Sequence, residues 1–200
     1  ALRRQGVPGS HPRWFRSHCR RVALTSTVYN FDIDLADADR GVYETLALRV
    51  ARHPSESEEF LLTRVLAYAL EYEPGLAFSA GLCAPEEPAL SLRDLTGALR
   101  AWIEVGLPDA DRLHRAAKAS PRVAVYPHRD VGQWLSRVAG ARVHRASEID
   151  VWAVDRSLLD GLVARLARRV AFSLSVSDRH LFAAFDAGSL DGPLTRHRLG

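Results

Sequence analysis

The sequence predicts a single α/β domain in which helices flank a mixed β-sheet. Two observations carry this prediction. Apolar residues recur at helical spacing in some segments and alternate with period two in others, and the two kinds of segment are interleaved along the chain. A chain of 200 residues, 47% of them apolar, can bury one sizeable core, and its length favours one domain rather than two.

The first elements follow directly from these two periods. Residues 22–34 and 42–50 alternate and are joined by a turn-forming segment, so they predict an N-terminal β-hairpin. Ser55 and Glu58 have the spacing of a capping box, and apolar residues recur after them at helical spacing. We therefore expect a helix over about 55–73.

The later elements continue the alternation. The next four predicted elements are strands near 76–82, 89–96 and 98–106 and a helix at 108–119. The remaining ones are a strand at 123–126, a helix at 131–138, an extended segment at 151–154, a helix at 156–168, and a closing pair of strands at 170–176 and 180–185. From the first helix onward, the predicted order is helix, three strands, helix, strand.

The positive charge of the chain is concentrated at its start. Residues 1–21 contain six arginines and no acid, and without them 21 of the 27 basic residues remain against 24 acidic ones. The body is therefore slightly acidic, which removes the global argument for a polyanionic partner. We expect residues 1–21 to be a disordered basic leader, either a phosphate-binding arm or an upstream extension, and residues 22–195 to form the domain.

The cysteine content and the hydropathy of the chain indicate the cellular compartment of the protein. The chain has two cysteines, Cys19 and Cys83, too few for a disulfide framework. No segment is long and apolar enough for a membrane span, and the basic start lacks the apolar stretch of a signal peptide. We therefore expect a cytoplasmic protein without a membrane partner.

One acidic residue stands inside an apolar strand. With period two, Ile103 and Val105 point to one face of that strand. Arg100, Trp102 and Glu104 point to the other, so the carboxylate leaves the apolar face and shares a side with an arginine. An acid just before a helix is a common position for functional residues in α/β proteins. The structural alternative is that Glu104 pairs with Arg100 or with another arginine.

Four segments carry more specific sequences. They are R-H-P-S-E-S-E-E at 52–59, G-L-C-A-P-E-E-P at 81–88, D-L-T-G at 94–97 and W-I-E-V-G-L-P-D at 102–109. Together they resemble the YaeQ family, in order and at compatible spacings, over essentially all of residues 22–195. The resemblance implies a bacterial protein with a fold akin to the PD-(D/E)xK nucleases, whose restriction-endonuclease-like core is also helix, three strands, helix, strand.

The resemblance also implies a set of metal ligands. Mapped onto this chain, the nuclease carboxylates are Glu59 on the helix, Asp94 on a strand and Glu104 on the next strand. Such carboxylates would hold Mg²⁺, which delivers a water molecule to a phosphate and stabilises the charge that develops there. Two alternatives stay open at Asp94: its side chain initiates a turn, or Glu87 is the ligand instead.

The chain departs from the nuclease motif at the lysine. Gly106 stands where that lysine would follow Glu104 on the strand. Relatives of this superfamily can carry the cation on the next helix, where Arg115 and Lys118 share a face. Lysine can act as a base, whereas arginine can only stabilise charge.

Two functions are therefore predicted. The first is a Mg²⁺-dependent nuclease or phosphodiesterase that acts on nucleic acid, with Glu59, Asp94 and Glu104 as ligands and Arg115 or Lys118 beside the phosphate. The alternative is a catalytically inactive binding or regulatory module on the same scaffold, because the strand lysine is missing. The sequence predicts neither the substrate nor the oligomeric state.

Overall fold

The computed structural model describes residues 26–79 and 86–199. These residues contain ten strands and four α-helices. The strands are β1 (Thr27–Asp37), β2 (Val42–Arg52), β3 (Leu76–Phe78), β4 (Leu90–Arg93), β5 (Leu99–Val105), β6 (Arg122–Tyr126), β7 (Asp150–Val154), β8 (Arg169–Ser177), β9 (His180–Phe185) and β10 (Gly188–Arg198). The helices are α1 (Glu58–Leu70), α2 (Ala110–Ala119), α3 (Val131–Val138) and α4 (Arg156–Val163), with a short 3₁₀ helix at Ala146–Glu148.

All ten strands belong to one mixed sheet, in the order β2-β1-β8-β9-β10-β7-β6-β5-β4-β3. The pairs β1/β8, β5/β6 and β6/β7 are parallel, and the other neighbours are antiparallel. The predicted mixed α/β architecture is confirmed. The predicted N-terminal hairpin is also confirmed, since β1 and β2 pair from Thr27↔Arg52 to Asp37↔Val42.

The first helix begins later than the sequence predicted. Its N-cap is Ser57, whose side chain accepts a hydrogen bond from the backbone N–H of Phe60 at 3.2 Å. Ser55, the predicted cap, instead contacts the His53 ring. The reason is a turn before the helix, in which the N–H of Glu56 donates to the carbonyl of His53 and its carboxylate accepts the N–H of His53. The predicted capping box at Ser55 was therefore wrong.

The C-terminal region contains a strand that the sequence pattern missed. The predicted closing pair is a meander of three strands, because β10 pairs with β9 along one part and with β7 along another. Gly188, Gly192 and Pro193 are poor strand formers, so local preference concealed β10. The predicted helix at 156–168 also ends early, at Val163.

The sheet buries apolar residues on both faces around β5. Helices α1 and α4 cover one face, where Ile103 and Val105 join the main core. Helices α2 and α3 cover the other, where Trp102 packs with Leu113 and Trp134 in a second core. The alternation predicted for β5 is correct, but the face that carries Glu104 is covered as well.

The predicted order of helix, three strands, helix, strand is present as α1, β3, β4, β5, α2 and β6. Its assignment to a restriction-endonuclease-like core stays a prediction, because element order alone does not establish a fold family. The predicted leader at residues 1–21 lies outside the described residues. In the part of the chain that the structure describes, no helix has the length and hydropathy needed to cross a membrane.

Candidate functional site

A cleft of about 370 Å³ opens at the carboxyl end of β5, and we call it the β5 cleft. Helix α1 contributes one wall, the start of α2 another, and the segment after β6 a third. The lining residues that matter below are Glu56, Phe60, Arg64, Glu104, Arg112 and His128. The volume is in the range of small-ligand sites, which places these side chains where they can contact a bound molecule.

Glu104 is buried in the wall of this cleft and fully engaged. It is 3% exposed, and Arg112 from the first turn of α2 approaches its Oε1 with Nε at 2.7 Å and its Oε2 with Nη2 at 3.2 Å. The indole Nε1 of Trp102 donates to Oε1 at 2.6 Å. The arginine also lies over the Trp102 ring, 5.9 Å from its centroid. Both carboxylate oxygens therefore have a donor.

Burial dominates the titration of this carboxyl. Removal from water raises the pKa of Glu104, and the hydrogen bonds from Trp102 and Arg112 act in the opposite direction. Glu104 therefore pairs with Arg112 while its own carboxyl group is almost fully removed from water.

A second acid and arginine pair lies in the same cleft. Arg64 and Glu56 are 5% and 8% exposed, and Arg64 Nη1 lies 3.4 Å from Glu56 Oε1. Arg64 Nη2 also donates to the carbonyl of Ala51 at 2.7 Å. The Nε of Arg64 is buried and has no hydrogen-bond partner among the described residues. This arginine thus ties α1 to the end of β2.

Gly106 controls the shape of the cleft floor. Its φ of +114° lies in a region that side chains rarely adopt, and a Cβ there would come within 3.3 Å of Cε2 of Phe60. The Nδ1 of His128 would be 3.9 Å away. A side chain at position 106, where the resemblance to the nucleases would call for lysine, is therefore disfavoured by the backbone conformation and by the close contact with Phe60.

His128 is held beside Phe60 in an edge-to-face contact with 5.3 Å between ring centroids. Its Nδ1 is buried and has no hydrogen-bond partner among the described residues. Burial lowers the pKa of His128, and the nearby positive charges of Arg129 and Arg156 add to that effect. Burial and the neighbouring arginines therefore favour the neutral form of this ring, which lines the cleft.

In the structure, each predicted metal ligand has a different local role. Glu59 lies in the first turn of α1, partly exposed, with its carboxylate 3.9 Å from Arg156. The pKa of Glu59 is lowered, chiefly by hydrogen bonds from its own backbone N–H and from the Ser57 side chain. It therefore strengthens the start of the helix.

Asp94 forms a turn, which was one of the two alternatives left open. Its Oδ1 accepts hydrogen bonds from the backbone N–H and hydroxyl of Thr96, at 2.8 and 2.6 Å, and from the N–H of Ala98 at 3.0 Å. These bonds, with that of the Thr96 hydroxyl first, lower the pKa of Asp94. The side chain holds the exposed connection between β4 and β5.

The remaining predicted residues lie near the cleft or on α2. Glu87, the rival ligand, lines the β5 cleft, and its backbone carbonyl accepts from Arg112 Nη2 at 2.7 Å. Arg115 is exposed, with Nη2 4.0 Å from Glu86 Oε2, and Lys118 is exposed in the last turn of α2.

The donors as arranged do not suit Mg²⁺. Among the described residues, no group of three or more His, Cys, Asp and Glu side chains is placed to hold a metal ion. Mg²⁺ needs oxygen donors at about 2.1 Å in octahedral geometry. Glu104 faces Arg112, and Asp94 supplies its Oδ1 to a turn. The magnesium site stays a prediction that requires Glu104 to leave its arginine.

Sequence reasoning missed the residues that hold Glu104 in place. The alternation of β5 put Trp102 on the same face as Glu104, but it did not show that the indole donates a hydrogen bond to the carboxylate. Arg112 and Arg64 were not identified, and no local motif marks them, because each pairs with an acid eight positions away on another element. The structural alternative for Glu104, a pair with Arg100 or with another arginine, is confirmed: the partner is Arg112, whereas Arg100 contacts Glu73 at 3.3 Å.

The fold and cleft define an α/β protein whose buried carboxylates lie at the end of a central strand. The model of the YaeQ protein family matches residues 22–192. The uncharacterized protein YaeQ of Escherichia coli K12 is 31% identical over 176 residues, which cover 87% of this chain and 97% of that protein. The Salmonella typhi relative is 30% identical over 179 residues, with the same shares covered.

Two solved structures agree with these relatives. The YaeQ protein from Xanthomonas axonopodis pv. citri matches with a TM-score of 0.78 and 33% identity, covering 87% of this chain and 98% of that one. The YaeQ protein from Pseudomonas syringae matches with a TM-score of 0.76 and 34% identity, covering 88% and 96%. The chain belongs to the YaeQ family.

Proposed function

We propose that this chain is a binding or regulatory module that acts without a catalytic metal and takes nucleic acid as its partner. The arrangement of Glu104 carries the proposal. A carboxylate that already has Arg112 and Trp102 on its oxygens serves to orient the arginine in the wall of the β5 cleft. Arg112 lines the β5 cleft, so a molecule bound there would contact its side chain.

The cleft has further features suited to binding. Phe60 provides an aromatic wall, and the Nε of Arg64 and the Nδ1 of His128 are buried polar atoms that lack a partner among the described residues. Buried polar groups are normally satisfied, so each favours a polar group on a ligand. The positive φ of Gly106 and its close contact with Phe60 disfavour a lysine at this position, which supports a role without nuclease activity.

A Mg²⁺-dependent nuclease is the second candidate, and one observation favours it. Glu56 and Glu104 both line the β5 cleft, and Glu59 lies one turn from Glu56. Movement of Arg64 and Arg112 onto a phosphate would free these carboxylates for a metal ion. In this candidate, Arg115 and Lys118 supply positive charge from α2, as the sequence predicted.

A cleavage assay separates the two candidates. The full chain is incubated with single-stranded and duplex DNA and RNA, with Mg²⁺, with Mn²⁺ and with EDTA. We expect no turnover, and we expect nucleic-acid binding that survives EDTA. Glu104→Gln is the test variant and Glu58→Gln, an exposed acid on the same protein, is the control. Metal-dependent turnover that Glu104→Gln abolishes and Glu58→Gln retains would establish the nuclease instead.

A further inference from the structure

A strongly basic stretch runs through the second helical layer. Between Ala110 and Arg145 the sequence has eight arginine or lysine residues and only two acids, Asp111 and Asp130. The rest of the body, outside this stretch and the leader, is therefore clearly acidic. The stretch contains α2, β6, α3 and the loop that follows, and α2 and α3 both pack on the second core. The excess charge is thus gathered in one layer of the fold.

Part of this charge is already neutralised. Arg112 pairs with Glu104, Arg122 with Glu71 at 2.6 Å, and Arg145 with Glu148 at 3.2 Å. Arg115 lies 4.0 Å from an exposed glutamate.

The rest of the charge faces solvent. Lys118, Arg129, Arg137 and Arg142 are exposed, and none of them takes part in the ion pairs found among the described residues. Arg129 follows His128, on the side of the β5 cleft. We call Lys118, Arg137, Arg142 and His144 the basic face.

The loop after α3 is fixed against α2, which brings its charges to that helix. The Nη2 of Arg145 donates to the carbonyls of Ala117 and Ser120, at 2.6 and 2.7 Å, at the end of α2. His114 Nδ1 lies 3.2 Å from the carbonyl of Arg142, and the His114 and His144 rings are 6.3 Å apart. Lys118 is one turn beyond His114 on α2. The loop that carries Arg142 therefore lies against the helix that carries Lys118, and Arg137 is in the last turn of α3, just before that loop.

We propose that the basic face binds the phosphate backbone of a nucleic acid. The proposal rests on the proposed function only in taking nucleic acid as the partner, and it applies whether or not the bound strand is cleaved. Unpaired cations clustered on an exposed surface bind phosphates and release condensed counterions. Since backbone contacts carry no sequence information, this surface sets affinity and orientation, and any base recognition belongs to another part of the protein.

Two other partners fit this surface less well. An anionic membrane would call for apolar side chains that insert between lipids. Among residues 26–79 and 86–199, however, the three large exposed apolar residues, Tyr43, Leu95 and Phe182, lie outside the stretch. An acidic protein would be expected to contact an apolar interface core. Protein and nucleic acid interfaces are more polar and more positive, which matches the basic face.

Fluorescence anisotropy with labelled duplex and single-stranded DNA tests the proposal. The face variant carries Lys118→Ala, Arg137→Ala and Arg142→Ala. The control variant carries Arg49→Ala, Arg169→Ala and Arg198→Ala, three exposed arginines outside the stretch, and so removes the same charge. Both are made in the full chain and again with the six arginines of residues 1–21 replaced by serine, since the leader can bind phosphates too. Circular dichroism confirms that each variant folds.

The expected result is a change in salt dependence as well as affinity. Three lost phosphate contacts lower the slope of log K against log salt by about 2.7 on duplex DNA and weaken binding at least about tenfold at 0.1 M salt. The effect is the same for unrelated sequences. The control variant keeps the slope of the wild type.

Other results would overturn the proposal. Equal losses in the face and control variants would mean that total charge matters and this surface does not. Polyglutamate that competes better than DNA at equal charge would assign the face to an acidic protein. If the wild type bound no nucleic acid, nucleic acid would be excluded as the partner of the basic face. Metal-dependent cleavage would contradict the proposed function instead and leave this inference standing, so the two failures are distinguishable.

Discussion

Replacement of Arg112 tests how strongly Glu104 depends on its partner. The carboxylate is 3% exposed and the guanidinium lies 2.7 Å away. In Arg112→Ala, Glu104 keeps the Trp102 indole but loses its countercharge. Breaking a buried ion pair costs about 3–5 kcal/mol. The side chain of Arg112 is 23% exposed, so water can replace part of it, and we expect a loss of about 3 kcal/mol at pH 7.

The loss of stability in Arg112→Ala depends on pH, and the burial of Glu104 determines whether it grows or shrinks as pH rises. Burial already raises the folded pKa of Glu104 above its unfolded value with Arg112 present, and the loss of Arg112 raises it further, so the charge is a penalty that grows as pH rises through the unfolded pKa. The penalty cannot exceed the free energy of protonating Glu104, because the buried carboxylate can bind a proton instead of staying charged. For an unfolded pKa of about 4.3, protonation costs about 3.7 kcal/mol at pH 7 and about 1 kcal/mol at pH 5. Arg112→Ala should therefore be less harmful at pH 5.

Urea unfolding of the full chain, followed by circular dichroism at pH 5 and pH 7, measures the loss of unfolding free energy at each pH. Arg169→Ala is the matched control, because its guanidinium is 77% exposed and contacts an exposed aspartate, so it should cost at most about 0.5 kcal/mol at either pH. A loss for Arg112→Ala that is the same at both pH values, or below about 1 kcal/mol at pH 7, would refute this account of Glu104.

Three further predictions follow from the cleft and its surroundings. Gly106→Ala should cost about 1–3 kcal/mol in urea unfolding, since φ is +114° and Phe60 is 3.3 Å from the new Cβ; an unchanged stability would contradict this. Tyr126→Phe should cost about 1–2 kcal/mol, because the buried phenol donates to Glu71 at 2.8 Å; a more stable variant would show the bond to be dispensable. NMR titration should place the pKa of His128 below that of a free imidazole, and a value above it would disprove the burial argument.

The sequence predicted the fold well wherever one residue period dominated. The hairpin of β1 and β2, helix α3 and strand β9 follow from local patterning, because alternate or helical spacing leaves one face to bury. Strand β10 was missed because its two glycines and a proline depress local preference, while pairing with β9 and β7 supplies the stabilisation. The local sequence of β10 gives no indication that this strand pairs with β9 and β7.

The candidate site was predictable in position but not in chemistry. Glu104 was identified from its place in β5, and the cleft does lie there. Its pairing with Arg112 depends on how α2 docks over the second face of the sheet, which no local spacing encodes. Asp94 illustrates the opposite case: the D-L-T-G sequence contains the whole turn, so its structure follows from four residues.

Calorimetric titration of Mg²⁺ and Mn²⁺ into the full chain tests most directly whether Glu104 serves Arg112 or a metal. Wild type is compared with Glu104→Gln, which keeps the shape of the side chain, and with the exposed control Glu58→Gln. We predict no submillimolar binding that depends on Glu104. Submillimolar binding that disappears in Glu104→Gln and persists in Glu58→Gln would establish a carboxylate metal site in the β5 cleft and contradict the account.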